Sequence, residues 1–143
     1  SALDYLATAS YHLGDLGGAI EAAQRLSAVA AEVPEYALRL AALLREDGQT
    51  ARAVALYQHV SDCPGDPENI AAAREALRAI DALQLPVMVM LASESRTFLR
   101  EVRENAVRAM LRHGFALSRD GLAGFLSMIH ELSPAGSGQF RLH

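Results

Sequence analysis

Five histidines and a single cysteine are the side chains best suited to metal ligation or nucleophilic chemistry, and their spacing argues against both. His12, His59, His113, His130 and His143 include no two at i, i+4, and no HExxH occurs. Cys63 sits in Ser61-Asp62-Cys63-Pro64-Gly65, without the CxxC or Cys/His spacing of a zinc site. A nucleophilic thiol also needs a base and a group that orients that base, which the sequence alone does not place. Gly14, Gly17 and Gly18 fall between helical stretches rather than after a strand, so no phosphate cradle is expected there. The expectation is no catalytic, cofactor-binding or metal-binding residue and no cofactor. Arg96, Arg100, Arg103, Arg108 and Arg112 form a basic series interleaved with Glu94, Glu101 and Glu104, with Glu104 and Arg108 in the favourable i, i+4 order. A solvated helix face explains that series; its functional alternative is docking of an acidic partner segment.

The elements that hold these residues are helices. The chain has 143 residues, 51% hydrophobic and 21% charged, enough for one ordinary domain with its own core. Ala makes up about a fifth of it, which favours close-packed helices. A net charge of −4 argues against non-specific nucleic-acid binding, which requires a basic face. The most apolar run, Leu85 to Ala92, is too short to cross a bilayer, and no signal peptide is visible. A cytoplasmic location without membrane or nucleic-acid partners is expected. The chain opens inside a helical pattern and without Met, as a piece of a longer, bacterial-type protein would.

A period of about 34 residues runs through the first half. It relates Gly14 to Gly48, Ala19 to Ala53 and Leu6 to Leu40. Each Gly lies where a helix must stop in a left-handed residue, and Asp15 and Thr50 offer capping oxygens just after. Leu3, Leu6, Ser10 and Leu13 make one stripe at helical spacing; Ala37, Leu40, Ala41 and Leu44 make its counterpart. Partner helices are expected from about Leu16 to Ala31 and from about Thr50 to Ser61. Pro34 and Pro67 open following helices at the position where a missing N–H costs nothing, with Asp66 as a cap. A third helix is expected from Pro67 to about Leu83, burying Ile70, Ala73, Leu77 and Ile80 and turning Arg74, Glu75, Arg78 and Asp81 outward.

This pattern resembles the tetratricopeptide repeat over roughly residues 1–84. Leu6, Ala7, Gly14 and Ala19 match the family's positions in the first unit; Leu40, Ala41, Gly48, Ala53 and Tyr57 match in the second. The early aromatic of the first helix is replaced by Leu3 and Ala37, the late aromatic of the first unit by Ala23, and the links before each Pro are longer than the family's. The resemblance implies a helical-hairpin solenoid whose first helices line a concave groove for a peptide or partner helix. Carried over by position, the first unit supplies Asp4, Thr8, Tyr11 and His12, and the second supplies Leu38, Ala42, Arg45 and Glu46. The third helix adds Ala71, Glu75 and Arg78. Tyr11 and Arg45 are the expected anchors, because aromatic and Arg side chains dominate binding hot spots.

In the C-terminal third, Leu85-Pro86 is expected to end the third helix. Val87-Met88-Val89-Met90-Leu91 then reads as linker or the buried start of a helix. Ser93 or Ser95 caps a helix running to His113, with Leu99, Val102, Ala106, Ala109 and Met110 as its stripe and Phe98 beside it. Gly114 stops it, and Ser118 caps a last helix that buries Leu122, Phe125, Leu126, Ile129 and Leu132, with Gly121 and Gly124 allowing close approach. Phe98, Leu99, Val102, Gly114, Phe115, Leu117 and Ser118 also resemble, at shorter spacing, the leader-like segments of the nitrogen-fixation-related peptide family. The overall expectation is an all-α chain: hairpin repeats over 1–84, capping helices over 85–132 and a flexible tail over 133–143. Its expected role is a non-enzymatic interaction module that binds a protein or peptide. Homodimerisation, or a regulatory or substrate-presenting role within a larger enzyme, are the alternatives.

Overall fold

Side-chain caps set most of the helix starts and glycines set two of the stops. The computed structural model describes residues 15–30 and 32–132, and among these the chain is all-helical, with no strand. Asp15 accepts the Gly18 N–H at 2.8 Å, satisfying a donor that has no partner inside the helix, and α1 runs Leu16–Val29. Pro34 opens α2, Pro34–Glu46, with Glu35 at its positive end. Gly48, at φ +83°, closes α2. The Gln49 N–H reaches the Leu44 carbonyl at 2.8 Å and the Gly48 N–H reaches that of Arg45 at 3.1 Å, as a left-handed stop requires. Then α3 runs Thr50–Asp62. Thr50 is not the expected cap: Gln49 holds that position without a capping bond, and its amide instead bonds Asp47 and Arg52.

The chain divides into two compact units between Leu77 and Arg78. In the first, α2 packs against both α1 and α3. Ala19, Ala41 and Ala53 are completely buried, and their small size permits the close helix approach expected of them. Leu26, Leu40, Leu44, Tyr57 and Val60 fill the core, joined by Ala22 and Leu43, which the periodicity did not single out.

Asp66 accepts the Glu68 N–H at 2.9 Å and α4 begins at Pro67. This helix corrects the expected break at Leu85-Pro86: it continues for 28 residues, Pro67–Glu94, with Pro86 inside it. An interior proline removes one backbone bond and costs about 3 kcal/mol. Here the carbonyl that loses its donor belongs to Ala82, on the exposed side with Pro86, where water can reach it. The residues beyond the proline bury Met88 and Ala92 completely or nearly so, which outweighs the loss. By length and composition α4 is long and apolar enough to cross a bilayer, with mean hydropathy 1.4 over an 18-residue stretch of it, unlike the shorter Leu85–Ala92 run considered alone.

In the second unit Ser95, not Ser93, caps α5, Arg96–Glu104, by accepting the Phe98 N–H at 3.1 Å. The expected continuous helix to His113 is broken at Asn105. Its side chain accepts the Arg108 N–H at 3.0 Å and starts α6, Ala106–Arg112. Glu104 and Arg108 therefore lie on different helices, not one turn apart on the same one. Gly114, at φ +83°, stops α6, with the Phe115 N–H on the Met110 carbonyl at 2.9 Å. This helix-stop chemistry accounts for the Gly114-Phe115 part of the lesser resemblance. Ser118 caps α7, Arg119–Glu131, accepting the Gly121 N–H at 3.0 Å. Met88, Phe98 and Phe125 are the largest fully buried side chains of this unit's core, while Leu126, expected inside, is partly exposed.

Asp81 is the other correction. It was expected to face solvent, yet it is buried and accepts both the backbone N–H of Ser118 at 2.8 Å and its hydroxyl at 2.5 Å. Gln84 pairs its amide with both backbone groups of Ala116, each at 2.7 Å. The segment leading into α7 is thus held to α4 by polar side chains.

Candidate interaction surfaces

Of the expected groove residues, Tyr11 and His12, with Asp4 and Thr8, lie outside the described residues. Leu38, Ala42 and Arg45 fall at i, i+4 and i+7, on one face of α2, with Glu46 beside them. Leu38 and Arg45 are half-buried, and Ala42 and Glu46 are exposed. Arg45 stands close enough to the buried Tyr57 of α3 to act on its phenol. Burial raises the Tyr57 pKa above 10.0, and the guanidinium opposes that rise without cancelling it. Glu75 and Ala71 are exposed on the first part of α4; Arg78 is exposed in the second unit. The structure thus gathers the α2 residues on one face, while Arg78 belongs to the other compact unit.

A cavity of about 240 Å³ lies elsewhere in the first unit. The first turns of α2 and α4 and the end of α3 form it, through Pro34, Ala37, His59, Val60, Cys63 and Ile70 among others. Cys63 Sγ is 3.7 and 3.6 Å from the two ring nitrogens of His59. A sulfur nearly equidistant from both nitrogens is aligned with neither lone pair, so this is not the directed contact of a nucleophile with its base. The spacing of His59 and Cys63, one helical turn, was readable in the sequence. Asn69, which also lines this cavity, donates its amide to Glu35 at 2.8 Å, joining the first turns of α2 and α4. Among the described residues no group of three or more metal-ligating side chains converges.

Two further surfaces belong to the second unit. Leu83, Val87 and Met90 stand at i, i+4 and i+7 on α4, each at least half exposed. Large apolar side chains in such a row on a helix surface mark docking faces when they adjoin one another. The second surface is basic. Glu101 accepts from Arg112 and His113, each at 3.3 Å, and the His113 ring stands edge-on to Phe98 with centroids 4.9 Å apart. Arg96, Arg100, Arg103 and Arg108 are exposed. A second cavity, of about 210 Å³, opens between α5 and α7. No protein-family model, curated protein or solved structure matches this chain.

Proposed function

We propose that the chain is a non-enzymatic protein-interaction module built from tetratricopeptide-like hairpins, which engages a peptide or helix on the outward face of α2. The observation that carries this reading is the Asn69–Glu35 bond. It joins the first turns of two helices across a separation of 34 residues, with the α2–α3 hairpin turned at Gly48 between them. Successive first helices starting side by side, one repeat apart, are what a helical-hairpin array requires. The α2 face then offers a half-buried Leu38 for apolar contact, Ala42 as a low point, and the charges of Arg45 and Glu46 to fix register.

The test is a comparative pull-down from lysate, quantified by mass spectrometry, of the wild type and a Leu38→Glu/Arg45→Glu variant of matched helicity. Proteins retained by the wild type and lost at least tenfold in the variant are the expected result. An identical set on both baits overturns the α2 face as the binding surface.

One observation favours a second reading, self-association: the exposed Leu83, Val87 and Met90 row on α4. Pairing of that row with its copy would remove it from water. Sedimentation of a Val87→Glu variant beside the wild type separates the readings, since only a dimer closed by this row falls apart on the substitution.

A further inference from the structure

We infer that the α5–α7 face of the second unit is a docking site for an acidic amphipathic helix, separate from the α2 face. Two features meet there. The first is the cavity of about 210 Å³ lined by Val102, Arg103, Leu126, Ile129 and His130. Val102 and Ile129 form a buried apolar floor, and Leu126 is partly exposed. The ionisable side chains at its rim are Arg103 and His130, both exposed and neither acidic. The second feature is the helix that leads to it. Arg96, Arg100 and Arg103 recur at intervals of four and three on α5, so they lie on one face and make a basic ridge ending at the cavity. Glu101, next to Arg100, is turned toward Arg112 and His113. Glu104, next to Arg103 and one turn from Arg100, is exposed at the edge of the ridge, and Glu131, next to His130 on α7, is exposed; neither lines the cavity.

Charge and shape together specify the occupant. Guanidinium groups seven residues apart on a helix span about 10 Å, the reach of carboxylates at i, i+4 and i+7 on a facing helix. Arg103 also makes an interaction within the chain, so Arg96 and Arg100 supply most of the charge offered to a partner. The apolar floor takes a Leu or Phe side chain from the end of that helix. A nucleic acid fits less well, because the floor carries no aromatic ring on which a base would stack.

The test is fluorescence anisotropy with a labelled helical peptide of about twelve residues, with Glu at i, i+4 and i+7 and a terminal Leu-Phe pair. Saturable binding is expected, weakened roughly tenfold or more by Arg100→Glu/Arg103→Glu, by Leu126→Asp, or by Ala in place of the peptide's Leu and Phe. All the substituted side chains are exposed, and circular dichroism checks that the variants stay folded. No saturation below about 1 mM overturns the site, as does a Lys-for-Glu peptide or a single-stranded oligonucleotide binding as tightly. Leu38→Glu/Arg45→Glu is expected to leave this binding unchanged. If that variant abolishes it, the peptide sits on α2: this inference fails while the proposed interaction role stands.

Discussion

Asp81 and Ser118 form a buried polar lock: the carboxylate takes both the backbone N–H and the hydroxyl of Ser118, while the same hydroxyl oxygen accepts the Gly121 N–H that starts α7. One serine thus caps α7 and ties it to the middle of α4. Asp81→Ala leaves two buried donors without an acceptor, and Ser118→Ala removes the cap and one of the two donors to the carboxylate. Each is expected to cost about 2–3 kcal/mol in urea denaturation. A double-mutant cycle should return a coupling of about 1–3 kcal/mol. Additive losses would show that the two side chains act separately.

The lock makes opposite demands on two glycines of α7. A Cβ at Gly121 would press into the Asp81 carboxylate, whereas a Cβ at Gly124 meets nothing within 4 Å. Gly121→Ala is expected to lower the melting temperature. Gly124→Ala is expected to raise stability by up to about 1 kcal/mol, since it removes a flexible residue from a helix interior. Shifts of the same sign would contradict the packing of α4 on α7.

Pro86 sits exposed within a continuous helix. Pro86→Ala restores the missing N–H and is expected to stabilise the protein by up to about 3 kcal/mol, read from the urea midpoint. No gain would mean that the chain leaves the helix at this point in solution.

Tyr57 supplies an alkaline signature. Its folded-state pKa is raised by burial, so below about pH 10 the phenol is protonated in both states and the term is fully present. Above that, the unfolded chain loses its proton first, and stability falls as pH rises toward the folded-state value. Tyr57→Phe is expected to remove this part of the decline. Arg45→Ala, which deletes the charge opposing the shift, should steepen it. An unchanged slope in Tyr57→Phe would mean that burial does not shift the phenol, and an unchanged slope in Arg45→Ala alone that Arg45 does not act on it.

Local chemistry was legible in the sequence: the caps at Asp15, Asp66 and Ser118, the left-handed stops at Gly48 and Gly114, and the stripes around Leu40, Leu44, Val102 and Phe125. These depend on neighbours within one turn. Asn105 escaped notice because a good cap inside an apolar period looks like a solvated residue. Pro86 misled because its local penalty is offset by burial of Met88 and Ala92. Asp81 and Gln84 lie on the line of Leu77 and Met88 at helical spacing, which was the available signal. A polar residue on an apolar stripe must find a partner, but Ser118 and Ala116 lie more than thirty residues away. The groove residues on α2 came by position from the repeat resemblance, whereas the α5–α7 cavity depends on two helices meeting.

Light scattering across a concentration series tests most directly whether this chain is a receptor for a foreign partner. A mass of 15.3 kDa at every concentration is expected and would leave the α2 face open to another protein. A stable mass about twice as large, returning to the monomer in Val87→Glu, would contradict that account and assign the chain to self-association.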